Sequence, residues 1–85
     1  MTEDEQTEDA FALQALKAAV DNQIADGNPR EAGLVMLALT SQGVEREMAL
    51  ERMADVLAVH VARTMDNDLP FDIDAYAQDL LKLSR

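Results

Sequence analysis

The chain has 85 residues, no cysteine, 48% hydrophobic residues and a formal net charge of −10. That length suits one domain with a small core, and the missing thiols exclude a disulfide framework or a thiolate metal site. Glu3, Asp4, Glu5, Glu8 and Asp9 concentrate part of the charge at the start. The remaining surface is still acidic, which disfavours phosphate backbones and anionic membranes as partners.

Residues 1–8 are polar and acidic and are expected to form a disordered tail. A single helical domain is expected over residues 9–85. Its first helix should run from about Asp9 to Ala25. Phe11 and Ala12 lead in, and Leu13, Leu16, Val20 and Ile24 recur at three- and four-residue spacing. Gly27 suits the position just past a helix end, because it reaches positive φ without a Cβ clash. Asn28, Pro29 and Glu31 then read as a cap, a first helical residue and the returning arm of a capping box.

The second helix is expected from Pro29 to about Ser41. Its middle, Ala32 to Leu39, is apolar on nearly every side, as in a buried helix or one that forms an interface. Gly43 is the expected stop. The third helix should span about Glu45 to Met65. Its main stripe is Leu50, Met53, Ala54, Leu57, Val61 and Met65, while Met48, Val56 and Val59 lie on the other side. Leu69-Pro70, in the linker Asp66 to Phe71, is a helix breaker. Asp72 should cap a fourth helix, with Phe71 and Tyr76 forming a hydrophobic staple around that cap. Ile73, Tyr76, Ala77, Leu80 and Leu81 supply its inner face, and Lys82 and Arg85 suit its C-terminal dipole. The expected fold is all-α: a compact four-helix arrangement with short antiparallel connections.

Reactive constellations are sparse. His60 is the one histidine, and with no cysteine it makes a poor transition-metal site. A hydrogen-bonded ring at the edge of the core is the expectation. Glu47 and Glu51 stand one helical turn apart, the spacing of a carboxylate pair that could bind a divalent cation. Arg46 and Arg52 beside them fit an ordinary charged face equally well. Asp66, Asp68, Asp72 and Asp74 lack the central glycine and closing glutamate of a calcium loop. Thr40 and Ser41 have no activating signature, and the three glycines are too scattered for a phosphate loop. The five methionines sit at helical spacings and read as core. Helix 2, Gly43 and helix 3 imitate a helix-turn-helix, but helix 3, the would-be recognition helix, starts Glu45-Arg46-Glu47, which is acid-rich where phosphates would lie.

Several motifs taken in order carry a resemblance. They are Val20-Asp21-Asn22-Gln23-Ile24 leading to Asn28-Pro29-Arg30-Glu31, the turn from Leu39 to Gly43, and Pro70-Phe71-Asp72 through Tyr76. Together they resemble a small all-helical bacterial family of uncharacterised proteins, over most of residues 13–84. Relatives in that family often carry histidines in the first helix and after the central glycine. Here those places hold Lys17, Glu47 and Glu51, so no metal role is carried over, and the resemblance implies no activity.

The sequence therefore points to a cytoplasmic, non-enzymatic protein-interaction module without a cofactor. Its expected partner is a protein or a second copy, not nucleic acid or membrane. Met48, Val56 and Val59 are the expected interaction face, because four short helices cannot hide them together with helix 2. Weak divalent-metal binding through Glu47 and Glu51 is the alternative, and transcriptional regulation a more distant one.

Overall fold

Gly27 and Gly43 take positive φ, 70° and 94°, and each reverses the chain after a helix. In this computed structural model the helices are α1 (Thr2–Asp26), α2 (Arg30–Ser41), α3 (Arg46–Asn67) and α4 (Ile73–Lys82). The structure describes residues 2–85, with side chains from Ala12 onward. The expected acidic tail, residues 1–8, lies outside the residues described with side chains. Among the described residues there is no strand, and no helix is long and apolar enough to cross a membrane.

Both glycine reversals are complete Schellman motifs. After α1, the Gly27 N–H donates to Ile24 O and the Asn28 N–H to Gln23 O. After α2, the Gly43 N–H donates to Thr40 O and the Val44 N–H to Leu39 O. The expected capping box at Asn28 does not form, because its N–H is already engaged by Gln23 O. Pro29 is the actual N-cap of α2, in extended conformation and with no side-chain cap. The peptide before it is cis. The third reversal uses Asp68 at φ 53°, a left-handed conformation that Asp tolerates better than most residues. Its N–H donates to Thr64 O, and the Leu69 N–H follows at 3.3 Å.

At α4 the cap and the staple hold, whereas Ile73, expected on the inner face, is 43% exposed, because it opens the helix next to the exposed linker. The Asp72 carboxylate accepts from the Ala75 N–H at 3.0 Å, and the Phe71 and Tyr76 rings lie 5.6 Å apart on either side of that cap.

α2 and α3 form the centre: each packs against the three other helices, while the backbones of α1 and α4 do not approach each other closely. Ala32, Val35, Met36 and Leu39 put one face of α2 into the core. Val20 enters from α1, Ala49, Leu50, Met53, Ala54 and Leu57 from α3, and Tyr76 and Leu80 from α4. Burying a side chain such as Leu39 or Met53 contributes about 1.5–3 kcal/mol, so this cluster is the main source of stability.

Expectations about burial are corrected in both α2 and α3. α2 is not covered all round, since Leu34 and Leu37 face solvent. Met65 continues the α3 stripe in sequence, yet it is 76% exposed. At 22 residues α3 is longer than α2 and α4, which have 12 and 10, and Met65 lies beyond the cover its neighbours provide.

Candidate functional site

Charged residues join α1 to α3. Lys17 lies on the inner side of α1 and its side chain is only 11% exposed. Its Nζ donates to Glu47 Oε2 at 2.9 Å, so the aliphatic stem is covered while the ammonium ends on a carboxylate that is itself exposed. One turn further along α1, Asp21 Oδ1 accepts from Arg46 Nη2 at 2.6 Å. Gln14, Ala18 and Leu50 complete a shallow hollow of about 180 Å³ around these charges. Both pairs have an exposed partner, and each is worth about 0–1 kcal/mol. They commit Glu47: the carboxylate that might have joined Glu51 around a cation faces Lys17 instead. Among the described residues no group of three histidine, aspartate or glutamate side chains converges as a metal site.

A second polar constellation lies between α3 and α4. His60 is buried, 4% exposed, rather than at the edge of the core. Its Nε2 is 2.7 Å from Asp79 Oδ2, while Asp79 Oδ1 receives Lys82 Nζ at 3.1 Å. An ionised carboxylate only accepts, so Nε2 carries the hydrogen. His60 holds the Asp79 carboxyl below the usual carboxylate range, with Lys82 adding to the effect. The imidazole also meets Tyr76 and Phe71 edge-on, with centroids at 5.8 and 6.3 Å, so three rings close on one another. Beside them a cavity of about 200 Å³ is lined by Arg63, Thr64, Leu69, Pro70, Asp72 and Ala75 together with His60. Asp68 and Asp72, from the acidic cluster around the linker, serve as a helix C-terminus and a helix cap.

Every buried side-chain nitrogen and oxygen among the described residues has a hydrogen-bond partner. The polar groups satisfy one another, and no buried one is left over to grip a ligand. Part of the exposed surface is apolar. Met48 and Val59 are about half exposed on the outer face of α3. Val56, grouped with them from the sequence, is half-buried and packs against the core, because its position on α3 turns it toward the other helices. No family model, curated protein or solved structure matches this chain. The resemblance to a helical bacterial family therefore rests on its motifs alone.

Sequence reasoning missed a second uncovered apolar region. Leu69, Phe71 and Ile73, all exposed, run through the α3–α4 linker and line an open hollow of about 460 Å³. The signal was present in the apolar run Leu69-Pro70-Phe71, which is unusual for a loop.

Proposed function

We propose that this chain is a cytoplasmic, non-enzymatic protein-interaction module whose working surface is the apolar part of the bundle's exterior. The observation that carries this reading is the outer face of α3, where Met48 and Val59 stand about half exposed on a helix whose other side buries Ala49, Leu50, Met53, Ala54 and Leu57. Large apolar side chains exposed on a helix, in a molecule whose buried polar side chains are already hydrogen-bonded among the described residues, suit association better than bond-making chemistry. Self-association is the first contact to expect.

Sedimentation velocity over a range of concentrations tests it. The sedimentation coefficient should rise with concentration, and Met48→Glu or Val59→Glu should suppress that rise without loss of helix content. A concentration-independent monomer, unaffected by either substitution, would overturn the reading. Divalent-metal binding through Glu47 and Glu51 is less favoured, because it requires Glu47 to give up Lys17.

A further inference from the structure

Met48, Arg52, Asp55 and Val59 follow one another along the exposed face of α3 at spacings of four, three and four residues. At about 100° per residue they fall within about 60° of one another, forming one line along the helix. Four-three-four is the spacing of a coiled-coil seam. All four residues are exposed, and neither Arg52 nor Asp55 makes an ion pair among the described residues. The order along the line is apolar, cation, anion, apolar.

That order is self-complementary when reversed. We propose that α3 pairs antiparallel with α3 of a second copy about a twofold axis between Arg52 and Asp55. Met48 then packs on the partner's Val59, and Arg52 meets the partner's Asp55, each contact occurring twice by symmetry. The next seam residues put Ala62 opposite the partner's Glu45, so no like charges meet. A parallel pairing would instead set Arg52 against the partner's Arg52 and Asp55 against the partner's Asp55. The charges thus select one direction and one register, as polar seam residues do in coiled coils. A seam of about three turns lies near the small end of specific interfaces, about 1,200 Å² in total, so the dimer is a reversible one. This pairing rests on the interaction-module reading and names the partner that the α3 face takes.

The test is sedimentation equilibrium on the full chain and on charge-exchanged variants. Arg52→Asp and Asp55→Arg each bring like charges together twice and should weaken the dimer by about tenfold or more. The double variant restores opposite charges and should return to within about threefold of the parent. An equimolar mixture of the two single variants should form a one-to-one dimer, because every facing pair is then complementary. Both positions are exposed, and an unchanged circular dichroism spectrum establishes that each variant is folded. A parent dimer indifferent to the exchanges would overturn this pairing while leaving an interaction module that uses another face. Weakening by the single variants without recovery in the double variant or the mixture would overturn the antiparallel register. A parent that stays monomeric to about 1 mM would overturn self-association itself.

Discussion

The Tyr76 hydroxyl donates to Gln23 Oε1 at 2.7 Å, joining α4 to α1 across 53 residues of sequence. The backbones of these two helices do not otherwise approach closely. Tyr76 is fully buried, and its ring also belongs to the cluster with His60 and Phe71. One side chain therefore ties the last helix to the first and to the third.

Tyr76→Phe keeps the ring and removes the hydroxyl, leaving Gln23 without its donor. The expected loss is about 1–2 kcal/mol in urea denaturation at neutral pH. Burial pushes the phenol of Tyr76 from 10.0 up to about 12. The unfolded chain ionises first, so this contribution is intact below pH 10 and is lost as pH rises toward 12. Denaturation midpoints across that interval should fall less steeply for Tyr76→Phe than for the parent.

The acid side of the stability curve should report Asp79. Its carboxyl is held low by His60 first and Lys82 second, so the folded state binds a proton less readily than the unfolded state. The contribution is present above the ordinary carboxylate value, about 3.9, and disappears as pH falls through the lower folded value. Asp79→Asn should flatten the acid limb of stability measured between about pH 2 and 6. Lys82→Ala should change it less, because Lys82 is mostly exposed.

Three left-handed residues offer a paired test of backbone conformation. A Cβ built on Gly27 or Gly43 meets nothing within 4 Å, so only the positive φ opposes a side chain there. Alanine at either position should cost about 1–2 kcal/mol. Asp68→Gly, in the opposite direction, should gain up to about 1 kcal/mol. Thermal unfolding of the three variants checks the contrast in sign.

Two methionines of α3 separate burial from composition. Met53 is completely buried and Met65 is 76% exposed. Met53→Ala should cost about 2–5 kcal/mol, a large share of the about 4–13 kcal/mol expected for a chain of this length. Met65→Ala should stay within about 0.5 kcal/mol. Chemical denaturation of both variants decides whether the stripe truly stops before Met65.

The features legible from sequence are those set within a few residues. Gly27 and Gly43 end helices because φ is a property of one residue. Asp72 caps α4, and Phe71 reaches Tyr76, because cap and staple join positions a few residues apart. The all-α class and the four helices follow from the same short-range periodicity. Asn28 is not the cap because α2 starts one residue later, with Pro29 as N-cap, and its N–H closes the turn after α1 instead of meeting Glu31.

Tertiary packing decided the rest, because a periodic stripe states which residues could be buried and not how far a neighbouring helix extends over them. Met53 and Met65 share a helix and a stripe and have opposite fates. Lys17 with Glu47, His60 with Asp79 and Gln23 with Tyr76 lie 30, 19 and 53 residues apart. Nothing in the chain near either partner marks such a pair, since a hydrogen bond needs only the two atoms to arrive at the same place. The outer line of α3 was half visible in advance: Met48 and Val59 stood out as surplus, while Val56 became core only once the neighbouring helices were in place.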